Sequence, residues 1–459
     1  MIDQLNGSTS LRAMANMAVL YAGKTSGVLV AFVFLPLYSR LLGPEQFGVV
    51  AVILSFQALL LTLDLGMSAL VGRDVAAAQS SSAELIQLIR TAELGLTAFY
   101  FILVTVTAAF KICGGMPGVS FEVALGPLLL FWLLVLQNIY YSAMLARRAY
   151  VVASLAQIIG TVTRTIVTAY VLANMSSTLT AFIISQVVLS AIHFCTTRLY
   201  FNIFFCQDSQ IYSKIKYPTI QDAVALLKRG KSLALFALAG AAVTQLDKPI
   251  VSAFVSAASL APYFLATTLC MVPIAVLAGP INQYFQPVLL KSITDEDSLA
   301  ARCVLKKFFG SVLLVTVIPS ICLWMLRVPI VEFWIGKSAI NATIANYVGI
   351  LLPGFVIGAF GFIPYSILIS VKDFKFQAIL STSMTAVTLA AAAASAILQS
   401  VEGVCLVYAS YHALSTLFSW VRTMYLPQVK ELGRMSFCFV AVTLTIFGLT
   451  ALAYSYNSI

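Results

Sequence analysis

Thirteen long apolar runs follow one another along the chain with only short polar segments between them: 13–38, 46–71, 84–110, 121–146, 150–173, 177–204, 232–255, 258–288, 304–326, 342–370, 376–398, 403–426 and 434–455. At 1.5 Å per helical residue, each is long enough to cross the roughly 30 Å hydrocarbon layer of a bilayer. In lipid every backbone N–H and C=O needs a partner within the protein, which leaves helices or closed barrels. Barrel strands are short and alternate in polarity, and these runs are long and continuous. The chain is 61% hydrophobic and only 10% charged, against about 45–50% and about 25% for a soluble domain. That excludes a soluble enzyme, a disordered scaffold and a disulfide-stapled secreted domain. The first twelve residues are polar, include Asp3 and lead into a run too long for a signal-peptide core, so this run is expected to stay in the membrane.

A net charge of +10 would suggest nucleic acid in a soluble protein. Here it is read as Lys and Arg held in cytoplasmic loops, with no nucleic-acid partner. With the N-terminus inside, seventeen Lys and Arg fall on the inner side, and only Arg40, Lys111, Arg327 and Lys337 on the outer. This asymmetry predicts a multi-pass membrane protein with a cytoplasmic N-terminus. The longest polar stretch divides six spans from seven. The predicted organisation is an N-terminal bundle over 1–205, a cytoplasmic linker over 206–231, a C-terminal bundle over 232–426 and an extra C-terminal span over 427–459. Within the linker, Ile220, Val224 and Leu227 share one helical face, Lys228 and Arg229 fill the last turn, and Gly230 follows as a stop, so a short interfacial helix is expected. Two short outer turns resemble each other, Leu42–Gly48 and Ala258–Phe264, which supports a repeated architecture.

Seven charged residues are read as lying at depth in the membrane, Lys24, Asp64, Arg90, Glu93, Arg164, Asp247 and Lys248, with Arg198 and Arg422 nearer the inner helix ends. Each costs about 2.5–3.5 kcal/mol at mid-bilayer, so each is a candidate for function or for pairing. Counted along the helices they form a ladder in depth, where one metal or proton site would cluster them. Arg90 and Glu93 are spaced to pair on one helix as a gating or structural ion pair. Lys24 is close in depth to Asp64, and Arg164 to Asp247, so two bridges between helices are expected as well. Asp247 and Lys248 point about 100° apart, which disfavours one shared partner. The functional reading is a cationic cavity in which Lys24, Arg164 and Lys248 hold a phosphate or diphosphate, with Asp247, Asp64, Asn282 and Gln283 as further substrate contacts. Amides recur in the runs, at Gln57, Gln137, Asn138, Gln157, Gln186, Gln245, Asn282, Gln283 and Gln286; they suit sugar hydroxyls and also serve as interhelical hydrogen bonders. The run at 258–288 carries Pro262, Pro273, Pro280 and Pro287 and is expected to bend.

No phosphate-binding loop, dinucleotide fingerprint or HExxH motif occurs, and none of the eight cysteines forms a CxxC pair. No metal or catalytic residue is therefore assigned, and Asp295-Glu296-Asp297 is read as a solvated loop.

Several runs resemble the polysaccharide-transporter branch of the multidrug/oligosaccharidyl-lipid/polysaccharide exporter superfamily. Leu35-Pro36-Leu37-Tyr38-Ser39-Arg40-Leu41-Leu42-Gly43-Pro44-Glu45-Gln46-Phe47-Gly48 resembles its first outer turn. Leu63-Asp64-Leu65-Gly66-Met67 with Arg73 resembles the end of its second span, and Gln245-Leu246-Asp247-Lys248 with Leu260-Ala261-Pro262-Tyr263 the start of its second half. In the last of these, Ala261-Pro262 replaces the usual Gly-x. From the apolar runs an all-α membrane protein of about 12–13 spans is expected; the resemblance implies two six-helix bundles around a central cavity, like the multidrug (MATE) exporters, in a family of twelve spans or of fourteen in its lipid II branch. It implies a Wzx-type flippase carrying an undecaprenyl-diphosphate-linked oligosaccharide across the bilayer, with no bond made or broken and no cofactor. Coupling to H+ or Na+ and cooperation with a polymerase and chain-length proteins are expectations of the same kind. Lys24 resembles a basic site of lipid II flippases. The competing readings are a drug/cation antiporter, which would favour a compact carboxylate site, and a membrane polymerase, which would favour a large outer loop.

Overall fold

The computed structural model describes residues 2–71 (without 69), 82–147 (without 116), 149–205, 218–229, 242 and 245–457. Side chains are described for most of these, but not at 2–22, 24–25, 446–457 or some isolated positions that include Gln283. Among the described residues all regular structure is helical, as the apolar runs predict. The chain forms two compact units, Met1–Ala261 and Pro262–Ile459, and the boundary falls within one helix.

The first unit begins with α1 (Ile2–Leu63), which is broken at Gly43 (φ 73°, ψ 168°) and restarts at Pro44. Glycine tolerates this positive φ, and proline is pre-set for a first helical turn, so Gly43-Pro44 makes the expected outer turn a tight kink between two spans. A 3₁₀ turn, Asp64–Gly66, closes the second span. Then come α2 (Ser82–Ile112), α3 (Phe121–Ala146), α4 (Tyr150–Asn174) and α5 (Leu179–Phe205). Two further short helices, α6 (220–229) and α7 (Asp247–Ser252), precede α8 (Ala257–Val272). α3 packs on both α2 and α5, and α4 packs on α1 and α5. A Cβ on Gly48 would run into the backbone of Ala257, so the end of the first outer turn lies against the backbone at the start of α8.

The linker helix α6 is present, with a reciprocal cap. Asp222 Oδ2 accepts from Thr219 N–H (2.9 Å) and its hydroxyl (2.7 Å), while Thr219 Oγ1 accepts from Asp222 N–H (3.2 Å). Its buried face differs from the expected Ile220/Val224/Leu227 stripe. Ala223 and Leu226 are buried, Leu227 lies beside Gly95 of α2, and Ile220 and Val224 are exposed. The approach to Gly95 is close, so the small Ala223 faces it (3.4 Å from a Cβ there) and the larger Ile220 is left outside.

The second unit continues from α8 through a π segment, Pro273–Ala278, into α9 (Gly279–Thr294). α10 (Ser298–Val312) similarly passes through a π segment, Leu313–Val317, into α11 (Ile318–Met325). Prolines at Pro273, Pro280 and Pro319 flank these wide turns, where the helical hydrogen-bond ladder is interrupted, so the expected bend of the proline-rich run takes this form. Then follow α12 (Arg327–Ile335), α13 (Asn341–Phe360), α14 (Phe362–Ser370), α15 (Phe374–Ile397), α16 (Val401–Tyr425) and α17 (Lys430–Asn457). α13 and α15 pack on α16, and α17 packs on α16 as well. A Cβ on Gly354 would overlap the backbone of Ala409, so α13 and α16 meet backbone to backbone, as small residues allow in membranes.

Among the described residues nine helices are long and apolar enough to cross a membrane. The thirteen predicted runs reduce to these for local reasons. Two merge in the kinked α1, and 232–255 lies mostly outside the described residues. The run 258–288 is split by its π segment, and 434–455 lies in the 28-residue α17, whose side chains from 446 onward are not described. Phe101, Ile102 and Val106 on α2 and Leu406 on α16 are largely exposed, as lipid-facing side chains are.

Candidate functional site

Glu93 sits on α2 where that helix faces α3 and α5. Its Oε1 accepts from the Tyr140 hydroxyl (2.7 Å) and its Oε2 from Arg198 Nη2 (3.2 Å). The expected Arg90–Glu93 pair is thus replaced by a bond to Arg198 on another helix. A pair along one helix saves a buried carboxylate less than converging donors from two others, because burial leaves no water to satisfy the second oxygen. Arg90 stays in the cluster: with Glu93 and Arg198 it lines a cavity of about 540 Å³ whose other walls are Leu94, Thr97, Trp132, Leu136, Phe194 and Pro218. Trp132 Nε1 donates to Thr97 Oγ1 (3.2 Å).

Arg164 lies near the middle of α4. Its Nη1 donates to Ser190 Oγ (3.2 Å), and the hydroxyls of Tyr38 and Tyr141 lie in its electrostatic neighbourhood. Tyr38 donates to the Thr165 carbonyl (3.0 Å), and Tyr141 shares a hydrogen bond with His193 Nε2 (3.0 Å). His193 seats directly on Gly160, where a Cβ would overlap its ring. Gln137 Nε2 donates to the Ser190 carbonyl (2.8 Å), and Gln186 Nε2 to Thr168 Oγ1 (3.1 Å), which are the interhelical roles expected of these amides. Among the described residues no carboxylate forms an ion pair with Arg164. The expected Arg164–Asp247 bridge is therefore absent, and both residues fall within the first unit.

Asp64 is buried at the 3₁₀ turn with φ 21°, and its Oδ2 accepts from Asn138 Nδ2 (3.2 Å) and from Ser68 N–H (3.1 Å). Its role in these contacts is to close a helix end. Lys24, its expected partner, lies in α1 next to Gly23, which abuts Ser154 of α4, but the Lys24 side chain is outside the described residues. Asp247 and Lys248, expected to point apart, bridge each other at 2.7 Å, and both are buried. Adjacent side chains can meet when one is as long as lysine: its four-carbon stem spans the angle that separates the Cβ atoms. In the second unit Asn282 Oδ1 accepts from Ser366 Oγ (3.0 Å), and its Nδ2 faces Gln286 Oε1 (3.4 Å). The neighbouring Gln283 side chain is outside the described residues.

The structure therefore gathers Arg90 and Glu93, and separately Asp247 and Lys248, while Asp64, Arg164 and Asn282 each take neutral partners. Sequence reasoning missed Arg198, Tyr140, Tyr38, Tyr141 and His193 as members of these clusters. Arg198 carried a signal, since it lies within an apolar run; the tyrosines and the histidine read as ordinary membrane-helix residues.

The family of polysaccharide biosynthesis proteins matches residues 37–343. No curated protein matches the chain by sequence. Solved structures with the same fold include the lipid II flippase MurJ in an inward closed conformation, at a TM-score of 0.67 and 16% identity over 94% of this chain and 93% of that one. An inward-facing multidrug-resistance MATE transporter of the MOP superfamily aligns at 0.66 and 12% identity, covering 93% of this chain and 99% of that one. A MOP-superfamily transporter from Pyrococcus furiosus aligns at 0.55 and 13% identity, covering 91% and 93%. With two thirds of its length inside the family match, the chain belongs to the polysaccharide biosynthesis proteins and is a multi-pass membrane protein with the all-helical fold of the MOP superfamily.

Proposed function

We propose that the protein is a flippase that carries an undecaprenyl-diphosphate-linked oligosaccharide, the repeat unit of O-antigen or another surface glycan, from the inner to the outer leaflet of a bacterial inner membrane. The single observation that carries the reading is Arg164: a guanidinium near the middle of a membrane helix whose hydrogen bond goes to a serine hydroxyl. An arginine paired to a carboxylate is neutralised where it stands. One held by neutral groups keeps its charge and the rest of its donors for an anion, and a diphosphate suits that fork. Family membership supplies the polysaccharide pathway, and the likeness to a protein named lipid II flippase supports a lipid-linked cargo.

A drug/cation antiporter is the second reading, favoured by an equally close likeness to MATE transporters. Such a protein needs acidic groups ready for a cation or proton. Here Glu93 is bound by Tyr140 and Arg198, Asp247 by Lys248, and Asp64 by Asn138 and Ser68. These contacts favour the anionic cargo. The cycle would move a substrate between leaflets without breaking a bond, with H+ or Na+ as candidate coupling ions and a polymerase and chain-length proteins as candidate partners downstream.

The test is sidedness. In a strain lacking the gene, lipid-linked oligosaccharide should accumulate and stay protected from a glycan probe applied outside spheroplasts. The wild-type gene should restore exposure, and Arg164→Gln should not, at equal membrane abundance. Intermediates that are exposed but unpolymerised would replace this reading with a polymerase, and no accumulation would replace it with the antiporter.

A further inference from the structure

The second unit carries a polar pocket at one end, apart from its close-packed interior. α12 and the first turns of α13 line it. Arg327, Glu332, Asn341 and Asn346 supply its polar groups, and Val328 and Ala342 are among its apolar ones. Its volume of about 290 Å³ is at the lower end of small-molecule sites, which suits one or two rings better than a lipid or a folded partner.

The polar groups are held in fixed orientations. Arg327 Nη1 donates to the Trp324 carbonyl (2.9 Å), its guanidinium lies over the Trp324 ring (5.2 Å to the centroid), and a Cβ on Gly349 would come within 3.2 Å of its Nε. That seating uses one of its N–H groups and leaves others to donate. Asn341 Nδ2 donates to the Gly336 carbonyl (2.7 Å), and Asn346 Nδ2 to Glu402 Oε1 (2.7 Å). A carbonyl and a carboxylate only accept, so each amide turns its NH2 toward that partner and its oxygen away from it. Asn341 Oδ1 is buried and accepts no hydrogen bond among the described residues, a cost that a donor on a ligand would remove. Glu332 is exposed and adds two carboxylate oxygens. The lining is therefore rich in acceptors, with one cationic donor and no net charge. A phosphate, which brings only acceptors, meets three groups of its own polarity, and a cation meets Arg327. A molecule with several hydroxyl donors, some acceptors and no charge satisfies all four side chains, and a neutral sugar ring is such a molecule.

The charge of the unit gives the pocket a side. Of the eleven Lys and Arg after residue 261, nine lie toward the opposite helix ends, and only Arg327 and Lys337 share the end that holds the pocket. The positive-inside bias turns that end outward. We propose that the pocket binds an uncharged sugar residue at the outer face of the membrane, with Asn341, Asn346 and Glu332 accepting from its hydroxyls and Arg327 donating to its oxygens. The site stands whether or not the protein is a flippase. Two sources share this chemistry: a sugar within a linked glycan and a free sugar.

Saturation-transfer NMR on the full-length protein in phosphatidylcholine nanodiscs, free of sugar detergents, tests the site. The probes are glucose, galactose, mannose, rhamnose, N-acetylglucosamine and N-acetylgalactosamine. At least one should receive saturation, and more strongly than glucuronate or glucosamine, which carry a charge. Asn346→Leu should weaken its binding about tenfold, as expected for loss of a hydrogen bond in a small site. Ala342→Trp, which fills the pocket and keeps every polar group, should weaken it as well. This second variant decides the matter if Asn346→Leu fails to fold, as judged by thermal unfolding. The methyl glycoside of the bound sugar separates the sources: retained binding assigns the pocket to a linked glycan, whose anomeric carbon is blocked, and lost binding assigns it to a free sugar. Transfer to none of the six sugars, binding unchanged in both variants, or stronger binding of a charged sugar would overturn the site. So would transfer to glycerophosphoethanolamine in place of every sugar, which would give the pocket to a zwitterionic headgroup.

Discussion

The two units solve the same problem, holding helices together in lipid, with different chemistry. Every buried charged side chain among the described residues is in the first unit: Asp64, Glu93, Asp247 and Lys248. The buried polar groups of the second are all neutral, among them Asn282, Thr316, Ser366, Thr388, Thr423 and Ser436, and its ion pairs Arg302–Glu431 and Arg422–Asp373 involve partly or largely exposed groups near helix ends. The two histidines show the contrast at close range. His193 shares a hydrogen bond with Tyr141 close to Arg164, whereas His412 lies against Phe355, the two rings tilted by 43° with centroids 4.3 Å apart. A neutral, close-packed unit behaves as scaffold, and a unit that carries buried charge in lipid bears a cost that function explains. The comparison thus places the candidate chemistry of the membrane interior in residues 1–261.

If the second unit is held by backbone approach, the largest effect should come from Gly354→Leu. The side chain has no room against Ala409, and overpacking of this kind costs about 3 kcal/mol or more. The full chain should lose its cooperative thermal unfolding transition in detergent; a transition within a few degrees of wild type would show that α13 and α16 can separate freely. Next comes Arg198→Gln, which leaves the buried Glu93 with the Tyr140 hydroxyl on Oε1 (2.7 Å) and removes the guanidinium from Oε2. Arg198 is half exposed, so about 2 kcal/mol is expected, below the 3–5 kcal/mol of a fully buried pair. Arg302→Gln, which removes the exposed pair of the second unit, should change stability by less than about 1 kcal/mol. Equal shifts for these two would break the contrast between the units.

The histidines refine the comparison further. His193→Phe should cost about 1 kcal/mol, because the Tyr141 hydroxyl loses its bond to Nε2. His412→Phe, a near-isosteric change in an aromatic setting, should leave the melting temperature nearly unchanged. An effect no larger than that of His193→Phe belongs to Ser436→Ala, which removes the hydrogen bond from Trp420 Nε1 to Ser436 Oγ (3.2 Å) between α16 and α17. About 1 kcal/mol is expected, and no loss in the unfolding midpoint would mean that α17 is held by apolar contacts alone.

Much of this architecture is legible in the sequence because lipid enforces it. A run such as 121–146 reads as a helix from its apolar length alone, and it coincides with α3, Phe121–Ala146. Gly43-Pro44 reads as a turn because one residue permits a positive φ and the next cannot continue the preceding hydrogen-bond ladder. The face of α6 was less legible. The stripe Ile220/Val224/Leu227 is the more hydrophobic, yet the space beside Gly95 admits alanine at position 223.

Partners among the charged residues were the least legible part. Spacing pointed Glu93 to Arg90 and separated Asp247 from Lys248, and the structure gives Glu93 to Arg198 and joins Asp247 to Lys248. The sequence by itself determined that this chain is a helical membrane protein and which residues carry charge into the bilayer, because hydrophobic length and the cost of burying charge are local properties of a segment. Only the tertiary structure decided which charges are neutralised and which, like Arg164, are held by hydroxyls, because a salt bridge depends on distances between helices that are remote in sequence, 105 residues apart for Glu93 and Arg198.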